Sequence, residues 1–174
     1  MSEPAWIIRT HRKTDAKRLG AFECATANVK WQLEVERFVR NKLHDWTTAP
    51  LGKTHSDART ILLVCRASRE LVGVAAHERV RLSSPLSGEF DGTKIEVVAI
   101  STAWQGKRFS SGERASDVLM SAVMFDIENR LPPRSKRVLA VVHKDNARSI
   151  ALCQRHGLAR ALSNPDPDYL RLIT

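Results

Sequence analysis

Cysteine is scarce in this chain, and its spacing excludes two classes of small protein. Among 174 residues there are three cysteines, Cys24, Cys65 and Cys153, which lie far apart and form no C-x-x-C pair. Disulfide scaffolds need an even set of cysteines and zinc knuckles need close pairs, so neither is expected. The six histidines show no H-E-x-x-H or paired spacing, and we therefore expect no bound metal.

Long apolar runs, targeting segments and linkers are also lacking. No stretch approaches the roughly 18 uninterrupted apolar residues of a membrane-spanning helix. The N-terminus has no apolar signal-peptide segment, so we expect a cytoplasmic protein with no membrane association. Without internal repeats or Gly-, Ser- or Pro-rich linkers, residues 1–174 are expected to form one domain around one hydrophobic core.

Positive charge, by contrast, is abundant. The chain has 28 Lys and Arg against 19 Asp and Glu, a net charge of +9, and two dense basic stretches lie at 9–18 and 134–137. Such a protein attracts polyanions, which include nucleic acid, anionic lipid and phosphorylated small molecules. The sequence contains no RRM, zinc-finger or helix-turn-helix signature, so charge alone supports nucleic-acid binding.

The hydrophobic pattern predicts an α/β domain. Short β-branched and apolar runs predict strands at 6–10, 60–65, 71–76, 94–100, 138–142 and 169–173, and a loop over 83–92. Apolar residues at intervals of three and four predict an amphipathic helix over 28–46. A second helix is expected over 113–129, ended by two prolines, and a short third helix with Asp145 or Asn146 as its N-cap and Gly157 at its C-terminus.

The turn between the strand ending at residue 100 and the following helix is suited to phosphate binding. A helix N-terminus offers unpaired backbone N–H groups and the positive end of the helix dipole. Gly106 lets the backbone approach a ligand closely, Lys107 and Arg108 add positive charge, and Ser110 and Ser111 add hydroxyl donors. Basic Gly- and Ser-containing turns are also common as plain solvated connections, so the turn alone does not decide between these roles.

Two motifs resemble a known family. Residues 98–107, Val-Ala-Ile-Ser-Thr-Ala-Trp-Gln-Gly-Lys, resemble the acetyl-CoA motif of the GCN5-related N-acetyltransferases (GNAT), in which a hydrophobic strand precedes Gln/Arg-x-x-Gly-x-Gly/Ala at the start of a helix. Residues 142–158 resemble that family's strand, Asn, short helix and terminal Gly-Phe, with Leu158 in place of Phe. The resemblance covers residues 60–174. It implies an α/β fold with a mixed, mostly antiparallel central sheet flanked by helices on both faces.

The resemblance also implies a reaction and a set of binding residues. The reaction is direct transfer of an acetyl group from acetyl-CoA to an amine, with the cofactor motifs in 94–158 and the acceptor-side elements in 1–60. In the family pattern, backbone N–H groups near the strand end stabilise the oxyanion, and Arg108 and Ser110 stand where small residues are usual. The implied cofactor-binding residues are Val98, Ile100, Gln105, Gly106, Lys107, Arg108, Phe109, Ser110, Ser111, Gly112 and Asn146.

Two residues are candidates for proton transfer. Glu96 lies four residues before Ile100 on the same strand face, and a carboxylate there could take the proton that the amine must lose. Equally, Glu96 could pair with a basic side chain or face solvent. Cys153 occupies the helix position at which the family usually has a tyrosine that protonates the departing CoA thiolate. Asn146 could contact the CoA arm, cap its helix, or do both.

The acceptor remains open, and three hypotheses follow. Phe22-Glu23-Cys24 before an amphipathic helix is similar to the Phe-x-Cys-Gly opening of GNAT toxins that acetylate aminoacyl-tRNA, with Ala25 in place of Gly, although core packing explains Phe22 and Cys24 equally well. We favour an N-acetyltransferase for a small or protein amine. The alternatives are a tRNA-acetylating toxin with an antitoxin partner, or a binding protein that has lost efficient catalysis. Homodimers are frequent in the family, but the sequence leaves the oligomeric state open.

Overall fold

The computed structural model describes residues 5–43, 56–84, 88–161 and 166–174. The described strands are β1 (Trp6–Thr10), β2 (Ser56–Cys65), β3 (Leu71–Ser84), β4 (Gly88–Ile100), β5 (Val138–His143), β6 (Ala159–Arg160) and β7 (Tyr169–Ile173). The described α-helices are α1 (Ala16–Gly20), α2 (Lys30–Asn41), α3 (Ala115–Arg130) and α4 (Ala147–Arg155). None of the helices in these ranges is both long and apolar enough to cross a membrane.

The strands form one seven-stranded sheet in the order β1-β2-β3-β4-β5-β7-β6. Every neighbouring pair is antiparallel except β4 and β5, which run parallel. A parallel pair needs a crossover connection, and α3 lies within the connection between these two strands. The mixed, mostly antiparallel sheet that the sequence motifs implied is therefore confirmed.

Both faces of the sheet are covered by helices. Because successive side chains of a strand point to opposite faces, β2 gives Ile61 and Leu63 to one hydrophobic cluster and Leu62 and Val64 to another. The first cluster is completed from α3 and α4, chiefly by Leu119, Met120, Val123, Ile127 and Leu152. The second is completed by Leu19, Phe22, Val39 and Leu43 from α1, α2 and their flanks. We call these sides the α3 face and the α2 face.

The helices differ from the sequence expectation mainly at their ends. The helix predicted over 28–46 begins at Lys30, and residues 44–46 lie outside the described residues. The helix predicted over 113–129 begins two residues later, at Ala115, because the preceding residues form a loop of their own. Asn146 is the N-cap of α4, and Gly157 after the helix has a φ of 83°, as predicted.

The loop predicted over 83–92 was wrong in its described part. β3 continues to Ser84 and β4 starts at Gly88, so the two strands pair on both sides of residues 85–87, which lie outside the described residues. Gly92 misled the prediction, because it serves close packing rather than a turn. A Cβ at this position would clash with the Leu82 side chain and would lie 3.1 Å from Arg137 O on the segment leading into β5.

Candidate active site

The sheet opens between β4 and β5. The two strands pair only over residues 93–95 of β4 and 138–140 of β5. Beyond these residues β4 remains paired with β3 as far as Ile100, and β5 remains paired with β7 as far as His143. The strands therefore separate towards their C-terminal ends and leave a wedge, which we call the β4–β5 cleft. Such openings bind ligands in α/β proteins, because backbone groups there have no ladder partner.

Peptide groups near the end of β4 point into this cleft. The N–H of Ser101 donates to Val72 O on β3 at 2.9 Å. Since the direction of the backbone N–H alternates along a strand, the N–H groups of Ile100 and Val98 point the other way, towards the cleft. The carbonyl of Ile100 agrees with this assignment, because it accepts a hydrogen bond from the Gln105 side chain at 3.0 Å. Val98 and Ile100 are thus placed to donate to an oxygen held in the cleft.

A compact loop over residues 101–114 follows β4. Gly106 and Gly112 have φ values of 75° and 87°, a left-handed conformation that glycine adopts without the clash of a Cβ. Within the loop the N–H of Phe109 donates to Glu113 O at 2.9 Å, and Arg108 Nη1 donates to Gly112 O at 2.6 Å. The segment therefore turns back on itself before α3 begins.

The polar side chains of this loop have different surroundings. Lys107 is exposed, with Nζ 6.0 Å from the centroid of the Trp104 ring, and Ser110 is also exposed. Ser111 Oγ donates to Glu113 Oε2 at 2.9 Å, and Arg108 is engaged with the loop backbone. Of the four polar side chains predicted for the cofactor, Lys107 and Ser110 are therefore best placed to meet an anion, while Arg108 and Ser111 hold the loop itself.

Phe109 anchors the loop to the core. Its side chain is 5% exposed, and its ring centroid lies 5.4 Å from that of Trp104 and 6.4 Å from that of Trp6. These packing contacts explain why the Phe109 side chain is buried, and they need no ligand. The contact of Phe109 with a cofactor, which the motif implied, stays a prediction.

Glu96 lies where the cleft begins to open, and its carboxylate is already paired. It is the extra residue of a bulge in β4 between the pairs that Ile95 and Val97 form with β3. Its Oε2 accepts a hydrogen bond from Lys94 Nζ at 2.9 Å, and its side chain is 15% exposed. The ion pair considered from the sequence is therefore present. That Glu96 acts as a base stays a prediction. In that role, its carboxylate would take a proton while it is paired with Lys94.

Cys153 and Asn146 both have structural roles that need no ligand. Cys153 is 6% exposed within the hydrophobic cluster of the α3 face, and burial raises the pKa of its thiol to about 11. Core packing thus explains Cys153, and its role as a proton donor stays a prediction. Asn146 Oδ1 accepts a hydrogen bond from the N–H of Ser149 at 3.1 Å, which is the expected helix cap. The contact of Asn146 with CoA also stays a prediction.

Residues 22–31, which lead into α2 and include its first two residues, cross the open end of the cleft on the α2 face. Near one end, Gln105 Nε2 donates to Cys24 O at 2.7 Å, close to the end of β4. At the other end, the Trp31 ring stacks on His143 at the end of β5, with centroids 5.4 Å apart and an angle of 16° between the planes. We call these residues the 22–31 segment. It forms a wall of the cleft on the side opposite α3 and α4.

Sequence reasoning missed the aromatic cluster at this wall. His143 also meets the edge of Tyr169 on β7, with centroids 5.2 Å apart, and the Tyr169 hydroxyl donates to Glu34 Oε2 at 3.4 Å. Burial and the nearby Glu34 charge raise the pKa of Tyr169. The available signal was that His143 directly follows one predicted strand and Tyr169 begins another. Nothing in the sequence indicated that α2 would bring Trp31 to them.

A separate groove of about 820 Å³ runs between β1 and α3 on the α3 face. Trp6 and Ile8 of β1 and Arg114 and Phe125 from the α3 side are among its lining residues. Of the residues predicted for the cofactor, it includes Arg108 alone. The groove is therefore distinct from the β4–β5 cleft, where the predicted backbone donors lie.

No protein-family model and no curated protein sequence matches this chain. Solved structures match it over nearly its whole length. A mutant AtaT toxin bound to the C-terminus of the antitoxin AtaR and acetyl-CoA has 13% identity and a TM-score of 0.65, with 98% of this chain and 94% of that chain covered. NAA60 of Arabidopsis thaliana in complex with a bisubstrate analogue has 15% identity and a TM-score of 0.62, with 97% of each chain covered.

A putative acetyltransferase of the GNAT family from Desulfovibrio desulfuricans is similar to the same extent. It has 13% identity and a TM-score of 0.62, with 98% of each chain covered. At these identities the likeness establishes the fold. The chain therefore has the fold of the GNAT acetyltransferases, as the two sequence motifs predicted.

Proposed function

We propose that the protein is an N-acetyltransferase that transfers the acetyl group of acetyl-CoA directly to an amine. The observation that carries this proposal is the β4–β5 cleft, into which the N–H groups of Val98 and Ile100 point. A loop with two left-handed glycines and the exposed Lys107 follows directly. The neighbours of the same fold add support, because two of those structures contain acetyl-CoA or a bisubstrate analogue.

The bound thioester supplies an activated acetyl group, and the chain supplies donors and charge. The N–H groups of Val98 and Ile100 donate to the carbonyl oxygen and stabilise the negative charge that develops when the amine attacks. Lys107 and the backbone around Gly106 bind the pyrophosphate by charge and hydrogen bonds. As the new C–N bond forms, the C–S bond breaks and the sulfur leaves as a thiolate.

The two protons in this exchange need an acceptor and a donor. Glu96 is proposed to take the proton of the amine, directly or through water, from its place at the narrow end of the cleft. Cys153 is the proposed donor to the thiolate by its position in the motif. Because burial raises the pKa of the Cys153 thiol to about 11, water remains a competing donor.

Acetyl-CoA binding followed by product analysis tests this function. A ligand at 100 times its Kd stabilises the folded state by about 2.7 kcal/mol, so a thermal-shift titration detects binding before the acceptor is known. Acetyl transfer is then measured by mass spectrometry with a panel of small amines and amine-bearing peptides. No stabilisation at millimolar acetyl-CoA overturns the proposal. Binding without transfer to any acceptor, including aminoacyl-tRNA, favours a binding protein that has lost efficient catalysis.

A second candidate, a toxin that acetylates aminoacyl-tRNA and pairs with an antitoxin, is supported by the charge of the α1–α2 region. Residues 9–42 contain nine Lys and Arg and four Asp and Glu, and so carry five of the nine net positive charges. Lys13, Lys17, Arg37 and Lys42 are exposed, with no ion pair within the described part of the chain. The same region supplies the 22–31 segment, so RNA bound to α1 and α2 would lie beside the cleft.

Labelled acetyl-CoA and bulk aminoacyl-tRNA distinguish this candidate. Acetyl label should enter the RNA fraction, and Lys17→Gln with Arg37→Gln should raise the KM for RNA while leaving the Kd for acetyl-CoA unchanged. Arg160→Gln with Arg69→Gln removes equal charge from exposed positions outside both basic stretches and serves as the control, which should leave the KM for RNA unchanged. A KM that does not depend on salt concentration argues against recognition through phosphate contacts.

A further inference from the structure

Gln105 has both ends of its side-chain amide bound by the protein. Nε2 donates to Cys24 O at 2.7 Å and to Ile100 O at 3.0 Å, while Oε1 lies 3.5 Å from Arg148 Nη1. Carbonyl oxygens only accept, so the NH₂ end must face Cys24 and Ile100, and the orientation of the amide is unambiguous. The motif predicted that Gln105 contacts CoA, but its donors are already engaged with the protein.

These three contacts join three walls of the cleft. Ile100 ends β4, Cys24 belongs to the 22–31 segment, and Arg148 lies in the first turn of α4. Gln105 is also the first of the cofactor-binding residues that the motif places in the loop after β4. A change at Gln105 therefore reaches Cys24 in the 22–31 segment through this one side chain.

Apart from the stacking of Trp31 on His143, the 22–31 segment beyond Cys24 is held by side chains of its own helix. Glu36 accepts the N–H groups of Cys24 and Ala25, each at 2.9 Å, and Gln32 accepts those of the next two residues. Before Cys24, Glu23 O accepts the N–H of Thr102 at 2.9 Å. The Thr102 bond fixes the start of the segment, whereas the Gln105 bond is the contact that ties Cys24 to the cofactor side of the cleft.

We propose that Gln105 is a positioning residue that couples the two sides of the cleft, so that acetyl-CoA bound to the loop after β4 fixes the 22–31 segment as the acceptor-side wall. This inference rests on the proposed function. A ligand that orders the loop holds Gln105 in place and thereby reduces the opening of the segment. By linkage, an acceptor that contacts the segment strengthens acetyl-CoA binding by the same factor.

Cys24 provides a reporter of segment opening. It is half-buried, and burial raises the pKa of its thiol to about 12, so alkylation requires local opening. Cys65 has a lowered pKa and would react first, so the experiment uses a Cys65→Ala parent. Cys153 is buried in the core and reports global unfolding in the same sample. Site-resolved mass spectrometry after timed iodoacetamide exposure reads both thiols.

In this parent, Gln105→Ala should raise the labelling rate of Cys24 about fivefold, as expected for the loss of the one hydrogen bond from Gln105 to the segment, and should leave that of Cys153 unchanged. Gln105→Glu should act similarly, because a carboxylate cannot donate to the two carbonyls. Acetyl-CoA should slow the labelling of Cys24 in the parent but not in Gln105→Ala. Lys107→Gln is the control in the same loop: it should weaken acetyl-CoA binding and leave the ligand-free rate at Cys24 unaltered.

The outcomes separate this inference from the function on which it rests. Equal Cys24 rates in the parent and Gln105→Ala overturn the coupling, as does a parallel rise at Cys153, which would indicate general destabilisation. If acetyl-CoA stabilises the parent in a thermal-shift titration but does not slow Cys24 labelling, the coupling fails while the proposed function stands. If acetyl-CoA does not bind the parent at all, the proposed function fails and the coupling fails with it.

Discussion

Lys94 Nζ donates to Glu96 Oε2 at 2.9 Å at the point where β4 stops pairing with β5. The side chain proposed as the base thus shares its carboxylate with the residue two positions before it. The pair keeps a charged group at the narrow end of the cleft without leaving it isolated. It also raises the question of whether Glu96 acts on the amine or only balances Lys94.

Replacing each partner separately answers this question. If Glu96 takes the proton of the amine, Glu96→Gln should lower kcat by about 100-fold, the usual lower range for a lost general base. Lys94→Met removes the same ion pair but leaves a carboxylate, so it should lower kcat much less. Steady-state assays of CoA release with one accepted amine provide the measurement. Equal losses in the two variants would assign the pair a structural role.

A second buried network predicts how stability depends on pH. Asp126 on α3 lies 2.9 Å from His77 Nε2 and 2.8 Å from Arg59 Nη1. Burial acts to raise its pKa, but hydrogen bonds from His77 and Arg130 and the charge of Arg59 lower the pKa of Asp126 to about 2. Since the folded pKa lies below the unfolded value, the stabilisation is complete above about pH 4 and is lost as the pH falls towards 2.

Asp126→Asn should therefore cost about 2 kcal/mol of unfolding free energy at pH 7. The difference from the parent should shrink between pH 4 and pH 2, as far as folding can be followed. Urea unfolding at several pH values measures this. Glu128→Gln on the same helix is the control, because its exposed pair with Lys136 should contribute less than about 1 kcal/mol. A difference that stays constant with pH would contradict the assignment.

The sequence motifs predicted the fold because the features they contain are determined by residues that are close together in the chain. The apolar, β-branched strand before residue 101, the Asn146 cap and the left-handed Gly157 each depend on residues near them in the chain, and the structure contains all three. Gly92 looked like a turn residue for the same local reason. Its actual role depends on Leu82 and on Arg137 O, which the sequence does not place beside it.

The cleft was predictable only in part. The proposed donors at Val98 and Ile100 were implied by the resemblance to the GNAT motif. The bulge at Glu96, in contrast, places Ile95 and Val97 on opposite faces, which a period of two does not predict. Gln105 and Cys24 are 81 positions apart, and their contact depends on how the 22–31 segment crosses the sheet. Long-range contacts of this kind leave no pattern in a single sequence.

The three cysteines should differ widely in reactivity. A hydrogen bond from the Ser68 side chain, with backbone N–H groups of Ser68 and Ala67, lowers the pKa of Cys65. Burial raises the pKa of Cys153 to about 11 and that of Cys24 to about 12. Since the thiolate is the reacting species, Cys65 should be labelled first at pH 8.

Glu70 near Cys65 offers a test of this cause. Its charge raises the pKa of Cys65, and Ser68 Oγ also donates to Glu70 Oε2 at 2.9 Å, so the two acceptors compete for one hydroxyl proton. Glu70→Gln, in the connection between β2 and β3, should therefore speed alkylation of Cys65, with Glu89→Gln on β4 as a control. Mass spectrometry after brief labelling identifies the modified thiol. Labelling of Cys24 or Cys153 ahead of Cys65 would contradict the predicted order.

Phe109 should determine whether the loop after β4 can bind its ligand. Because its 5% exposed ring packs between Trp6 and Trp104, Phe109→Ala should lower the unfolding free energy by about 3 kcal/mol. It should also weaken acetyl-CoA binding, since Gly106 and Lys107 lie on the loop that this ring anchors. Phe125→Ala is the matched control, because that ring is 71% exposed on α3 and should change neither quantity appreciably.

Chemical unfolding and isothermal titration with acetyl-CoA measure the two effects of Phe109 separately. Phe109→Leu keeps most of the apolar volume and should fold if the alanine variant does not, with a stability cost of about 1 kcal/mol. Acetyl-CoA affinity should decline in the order parent, Phe109→Leu, Phe109→Ala. If both variants lose stability but bind acetyl-CoA as tightly as the parent, the ring supports the core alone, and the pyrophosphate must be held by parts of the loop that do not depend on Phe109.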